Sequence, residues 1–559
     1  MPSPVHPPES TTLPALVRDS ALATPDATAL VAGPVRQTYA ELDVAARCAA
    51  AALAGLGVRR GDSVGLLATN TAVWPTAALG AMWVGARVDA FNTWVKAWDL
   101  RDLLGRSGCR VLMLMSPVRS TDMLAPLREL LPELWTGPPG GWRSERFPKL
   151  RHVVLIGGGI GGEIDEVGGE VGGEVGGEAP PGAHDWDSLL DAAAPVDPGR
   201  VGAAEDDPAY VMYTSGSTRL PKAVPLLHRD LILNGFHIGE RMGLTAQDRV
   251  WLGSPLFWSF GGANALPATF THGAALVLQE EFTAPEAARL MAAERCTAAY
   301  LLPSIADALA GVADQVRAVS TLRTGVTIGR PEEIRRIVDE LDVPGICNIY
   351  GSTETYGNCC VTHHDSPLEL RLTTQGPPLP GVELRVVDPD GEVVPPGELG
   401  ELQVRGRVMP GYLGAPEATA EVLTADGWFR TGDQCGVGAD GAVRFGARLT
   451  DMIKTSGINV APAEVESFLS GHPAVTDVAV VGAPHPSRGE VVVAFVTGAG
   501  LDGDELREYC RRGIAGYKVP WRVLVVPELP RTGTGKLTRT ALAEQAARRV
   551  REALEGDRT

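Results

Sequence analysis

Short apolar runs alternate with helix-forming stretches along most of this chain, and no other feature restricts the fold as strongly. "DSVGLLATN", "CRVLMLM" and "LRHVVLIG" read as buried strands, while "YAELDVAARCAAAALAGLG" and "AVWPTAALGAMWVGA" have helical composition. Helix–strand alternation at this spacing predicts parallel sheets covered by helices. The pattern resumes after residue 209 with "RVWLGSP", "APEAARLMAAER", "CTAAYLLP" and "PEEIRRIVDEL", the last with proline at its first position and acids in its first turn. From about 382 the texture changes to short strands and tight turns, with "DPDG" as a hairpin signal. From about 451 a compact run of helices and strands follows, long enough to be a domain of its own. The expected fold class is α/β: a large N-terminal domain over 1–449, with a β-rich subdomain from about 382 to 449, then a small α+β domain over 450–559.

Composition narrows the function. A chain of 559 residues has room for large buried cores, and its net charge of −18 argues against a nucleic-acid surface. The N-terminus lacks the basic and apolar regions of a secretory signal, and the most apolar window, "AALGAMWVGARV", is too short to span a bilayer. The eight cysteines form no CxxC pair, which suits reduced thiols in a cytoplasm. Residues 157–182 hold three copies of VGGE and read as a flexible acidic insert. Gly157, Gly159 and Gly162 spell GxGxxG after a strand, the fingerprint of a dinucleotide-dependent oxidoreductase. The stretch that follows is too rich in glycine to supply the helix such a site needs.

The chemistry is concentrated in five stretches. "YTSGSTRLPKAV" carries Thr214, Ser215, Gly216, Ser217, Thr218 and Lys222, the hydroxyls, glycine and lysine that wrap a polyphosphate. No Ser or Thr follows the lysine, so it is not a Walker A loop. "YGSTET" (350–355) offers an aromatic ring, a hydroxyl and a carboxylate in succession, and "WFRTGD" ends in Asp433 after a turn. "ARLTDMIKTSGINVAPAEVE" contains Arg448, Lys454 and Gly457, and "PRTGTGKLTR" presents Lys536 in a glycine-flexible loop. Taken singly, each also has a plain reading: a polar turn, a buried tyrosine or a solvated lysine. Together and in this order they are specific.

The set resembles the adenylate-forming superfamily of acyl-CoA synthetases, peptide-synthetase adenylation domains and firefly-type luciferases, over nearly the whole chain. The resemblance implies a mobile C-terminal domain and two steps. A carboxylate attacks the α-phosphate of Mg-ATP to give acyl-AMP and pyrophosphate, and a second nucleophile then displaces AMP. By the same resemblance the 213–222 loop holds the β- and γ-phosphates, Tyr350 with Gly351 meets adenine, Thr353 meets the α-phosphate and Glu354 ligates Mg²⁺. Asp433, with Arg448 near it, binds the ribose. Lys536 reaches the attacking carboxylate and the α-phosphate, the small domain turns about Thr450, and Lys454 and Gly457 approach in the second step.

Departures from the pattern bear on the substrate. Arg219 and Ala223 replace glycines of the usual phosphate loop; Arg219 either adds a cation to the polyphosphate or points to solvent. In "SPLFWSFGGANALP", Trp258, Phe260 and Gly261 stand where the acyl pocket is expected, as an apolar wall suited to an aromatic or short acyl group. Val326, within "TGVTIG", and Asn358, within "YGNCC", are the other expected pocket positions. Only Glu280 is acidic between Asp248 and Glu281, so the acid that holds an α-ammonium in peptide-synthetase relatives is absent. The expectation is an aryl- or fatty-acid–CoA ligase using ATP, Mg²⁺ and CoA on a small carboxylic or aminoaryl acid. Its rivals keep the adenylation and change the acceptor: amide ligation, or nitrite-dependent diazotisation of an aryl amine. The sequence leaves the oligomeric state open.

Overall fold

The computed structural model describes residues 6–118, 121–157, 179–197, 199–214, 221–319, 321–448, 452–530 and 537–556. Most of the 157–182 insert, with Gly159 and Gly162, lies outside them, as do Ser215–Thr218, Arg219, Thr450 and Lys536.

Among the described residues, one sheet has seven strands in the order His184–Asp185, His152–Ile156, Val111–Met115, Ser63–Leu67, Arg87–Ala90, Pro208–Thr214 and Lys222–Leu227. A second has eight, with Arg249–Leu252, Ala298–Tyr300, Thr324–Thr327 and Gly345–Tyr350 as parallel neighbours. These strands are apolar on both faces, as "VLMLM" illustrates, because helices cover both sides. The expected parallel order holds in the interiors, but three edges are antiparallel: Lys222–Leu227 on Pro208–Thr214, Cys360–Val361 on Gly345–Tyr350, and Val35–Thr38 on Thr28–Ala32. Each of these connections is too short for a crossover, so the chain can only turn back.

Local chemistry fixes the helices. Thr38 caps Tyr39–Gly55: its hydroxyl accepts from Glu41 N–H at 3.2 Å, and the Glu41 carboxylate accepts from Thr38 N–H at 2.8 Å. Val73–Trp83 is buried along all but its first residue. Gly80 lets it approach Tyr39–Gly55 closely, since a Cβ there would lie 2.5 Å from the Cβ of Ala49.

Glu383–Val387, Leu399–Arg405, Phe429–Val437 and Val443–Arg448 form a four-stranded antiparallel sheet in chain order. Its register sets Asp433 opposite Arg448. "DPDG" turns as expected, Gly391 N–H donating to the Asp388 carbonyl at 3.0 Å.

The small C-terminal domain is a five-stranded sheet with Asp477–His485 and Gly489–Thr497 as its long hairpin. Alternate strand residues face opposite layers. Val480, Val492 and Val496 pack with Val465, Phe468, Leu506 and Cys510, while Val481, Val493 and Phe495 pack with Leu542, Ala546 and Val550. A two-residue turn at Ser456 and Gly457 (φ +49° and +84°) joins Ile453–Thr455 to Ile458–Val460, a geometry that favours glycine.

Candidate active site

The sequence brings its polar motifs to the carboxyl ends of parallel strands. Pro208–Thr214 and Gly345–Tyr350 both end at one cleft of about 1480 Å³, where an open α/β sheet places its ligands. The four-stranded sheet and the small domain close the cleft with Asp433, Phe445, Lys454 and Gly457.

Thr214 and Lys222 are register partners at the base of the phosphate-loop candidate. Thr214 Oγ1 is buried with no hydrogen-bond partner among the described residues. Tyr213 anchors this strand end, its hydroxyl donating to Asp89 Oδ1 at 2.5 Å. Asp89 is fully buried and is also held by Ser63 and by Arg87 at 3.2 Å. The loop's exit is tied down by Arg106, which donates to the Pro221 carbonyl at 2.7 Å.

Tyr350 is 6% exposed, and its hydroxyl donates to Asp433 Oδ2 at 2.8 Å. Burial, then the Asp433 carboxylate, pushes the phenol well above its usual range, so it stays a donor. Beside it lies Phe445, with ring centroids 6.4 Å apart. Thr353 and Glu354 sit on the one-turn helix Thr353–Thr355, and Thr353 Oγ1 lies 3.3 Å from Ser259 Oγ. Ser259 opens a π-helical turn, Ser259–Ala265, a conformation frequent at functional sites.

Tyr412, which the motif reading did not single out, joins two of the expected residues. Its hydroxyl donates to Glu354 Oε1 at 2.9 Å, and Lys222 Nζ stands 4.6 Å from its ring centroid. Burial, then the Glu354 charge, raises its pKa, so it too remains a donor. In "PGYLGAP" nothing but the ring itself hints at this role.

Trp258 packs edge-on against Trp94 at 4.9 Å, and Trp94 also meets Phe257 and Tyr517. Phe260 is T-shaped to Tyr300 at 5.0 Å, and both Trp258 and Phe260 line the cleft. Two expected pocket residues do not reach it. Val326 is fully buried, and the lining position falls on Ile328 past the strand end. Gly261 packs on backbone instead, where a Cβ would lie 2.4 Å from the Pro255 carbonyl oxygen. Asn358 lines the cleft, as does Asn264, another residue absent from the expected set. The Asn264 amide donates to the Tyr356 carbonyl at 2.6 Å, while its Oδ1 and Asn358 Nδ2 are buried without partners among the described residues.

Among the described residues no cluster of three or more His, Cys, Asp or Glu side chains could hold a metal by itself. A single carboxylate suits Mg²⁺, which takes one or two protein carboxylates together with substrate phosphates and water, so Glu354 fits that role.

Fold and cleft together define an AMP-forming ligase. Residues 17–413 match the profile described as "AMP-binding enzyme" and 464–536 that of the "AMP-binding enzyme C-terminal domain"; the chain belongs to this family. YngI of Bacillus subtilis (strain 168), named as an acyl-CoA synthetase, is 32% identical over 546 residues, 95% of this chain and 96% of that one. A double mutant of o-succinylbenzoate CoA synthetase (MenE) from Bacillus subtilis, bound with a CoA product analogue, superposes with a TM-score of 0.77 at 25% identity, covering 95% and 98% of the two chains. The same synthetase with its acyl-adenylate intermediate gives 0.63, at 25% identity over 95% and 98%. The amide bond synthetase McbA from Marinactinospora thermotolerans gives 0.77 at 25% identity, covering 96% and 99%.

Proposed function

We propose that this enzyme activates a small aryl or fatty acid as its adenylate and transfers the acyl group to CoA. The observation that carries this reading is the convergence of Thr214, Lys222, Tyr350, Thr353, Glu354 and Asp433 on one cleft beside an aromatic acyl wall. In the first step a carboxylate oxygen attacks the α-phosphorus, and the bond to the bridging oxygen breaks as pyrophosphate leaves. Lys222 and the hydroxyls of Thr214, Ser215, Ser217 and Thr218, with Gly216, hold the departing phosphates. Tyr350 and Gly351 bound adenine, Asp433 accepts from the ribose hydroxyls with Arg448 near it, and Thr353 meets the α-phosphate. Glu354, its carboxylate oriented by Tyr412, would hold Mg²⁺, which would supply neutralisation of phosphate charge. Lys536 neutralises charge building on the reacting oxygens.

In the second step the CoA thiol sulfur attacks the acyl carbon, its proton is lost and AMP leaves. Lys454 and Gly457 then edge the acceptor channel. The two domains divide at 449/450, with Thr450 the pivot. Eight free cysteines, seven of them buried, suit a reducing cytoplasm.

The resemblance to McbA supports one second reading, in which an amine replaces CoA as acceptor. One experiment separates them: AMP release from Mg-ATP with benzoate, 2-aminobenzoate and octanoate, each with CoA, with butylamine or with neither, and product masses recorded. A thioester mass with CoA-dependent AMP is the expected result. An amide mass without CoA dependence would replace it with the second reading, and no AMP with any acid would overturn both.

A further inference from the structure

Away from the reacting groups, a buried ion cluster joins the two bodies of the molecule. Asp99 lies in the first turn of the helix Ala97–Ser107, in the large domain; Glu464 opens Pro462–Leu469 and Lys518 closes a short 3₁₀ turn, both in the small domain. Lys518 Nζ is 2.7 Å from Asp99 Oδ1 and 3.3 Å from Glu464 Oε2. Asp99 Oδ2 also accepts from the Ala515 backbone N–H at 3.2 Å. All three charged residues are buried, at 5%, 1% and 4% exposure for Asp99, Glu464 and Lys518. Rings surround them: Trp98 meets Phe468 at 5.9 Å and Trp94 meets Tyr517 at 5.7 Å.

The cluster can open without stranding a charge. When the small domain leaves, Lys518 keeps Glu464, its partner within that domain. Asp99 keeps the backbone N–H of Lys96 at its own helix start, 3.2 Å away, where the helix dipole favours an acid. One lysine facing two acids, one from each side, therefore behaves as a latch. The orientation it fixes puts the Lys454–Gly457 hairpin into the cleft. That arrangement also fits the synthetase carrying a CoA product analogue (0.77) better than the same synthetase carrying its adenylate (0.63).

We infer that Asp99 is a positioning residue for the acyl-transfer step: it holds the small domain, through Lys518, in the orientation that serves the acceptor. This rests on the two-step reading above. Asp99→Asn keeps a side chain able to cap its helix but weakens the charged link across the interface. ATP–pyrophosphate exchange, which needs only the first step, stays within about twofold, whereas single-turnover transfer from preformed adenylate falls by about tenfold or more, the loss of a charged hydrogen bond. Glu464→Gln, which leaves the Asp99–Lys518 link intact, keeps most of the transfer rate. Equal losses in exchange and transfer in Asp99→Asn would mean a merely structural role and overturn the proposal, as would no loss in either.

A measurement independent of any acid reads the latch directly. Nitroxide labels at Glu129→Cys and Glu552→Cys, exposed positions on the two domains, on a Cys48→Ser background, report the interdomain distance by pulsed EPR. One narrow distribution that broadens or splits in Asp99→Asn is expected; an unchanged distribution sinks the latch. Failure of exchange with every acid would instead count against the proposed function alone.

Discussion

The proposed nucleotide side of the cleft and the proposed acceptor side are built on different principles. The first is wired within one packed body: Tyr350 to Asp433, Tyr412 to Glu354, and Tyr213 to Asp89 are hydrogen bonds between residues of the large domain. The acceptor side is closed by residues from two bodies, with Trp94 against Tyr517 and Asp99 against Lys518. A site fixed inside one core is preorganised and cannot move, whereas one closed across an interface can be assembled and taken apart between steps.

The change with the largest expected effect tests whether the small-domain cation proposed for the first step acts in that step alone. Lys536→Ala removes a small-domain cation assigned to that step, and its loss is expected to slow ATP–pyrophosphate exchange by ~10²–10³-fold. Transfer from preformed adenylate should be nearly untouched. If transfer suffers equally, the two sides of the cleft are not separable by step. Next, Asp433→Asn weakens the acceptor of Tyr350 and, in the proposed function, of the ribose. A charged hydrogen bond is worth ~1.5–3 kcal/mol, so KM for ATP should rise roughly 10–100-fold with little change in KM for the acceptor.

The large domain should also carry its own acid sensitivity. His228 is 1% exposed, with Nδ1 accepting from Leu13 N–H at 3.3 Å, and burial lowers its pKa to about 4. A histidine held neutral in the fold but free to protonate when unfolded favours unfolding as pH falls below 6.5. The stability loss runs at about 1.4 kcal/mol per pH unit and levels off near pH 4. Urea midpoints of wild type and His228→Gln should therefore converge between pH 7 and 5. Parallel curves would show that other groups govern acid unfolding.

How much of this was legible in the sequence follows the same division. Strand ends that carry "YTSGST" and "YGSTET" announce themselves because each motif is contiguous, and alternation alone gave the parallel interiors and the small end domain. Antiparallel edges escaped because they depend on connection length, not on strand composition. Val326 was misjudged because the strand ends at Thr327, beyond which pleat alternation no longer says which residue faces the cleft. Asp99 and Lys518 stand 419 residues apart, and a lone acid in "AWDLRDLL" looks like ordinary helix-start chemistry. Nothing local marks such a pair; only the packing of one domain on the other does.

Tyr412 gives the smallest expected effect and the sharpest test of wiring within the large domain. It touches two expected residues at once, through its hydroxyl to Glu354 and through its ring beneath Lys222. Tyr412→Phe removes the hydroxyl alone and leaves the ring. If the hydroxyl orients the carboxylate, exchange should fall about fivefold, the value of one hydrogen bond of roughly 1 kcal/mol, and excess Mg²⁺ should recover part of it. Tyr412→Leu also removes the cation–π contact, worth about 0.5–2 kcal/mol, so its further loss should appear in KM for ATP and resist Mg²⁺. Should Tyr412→Phe behave like wild type while Tyr412→Leu loses activity, the ring matters and the hydroxyl does not, and Glu354 must owe its orientation to the Met409 N–H that its carbonyl accepts at 2.8 Å.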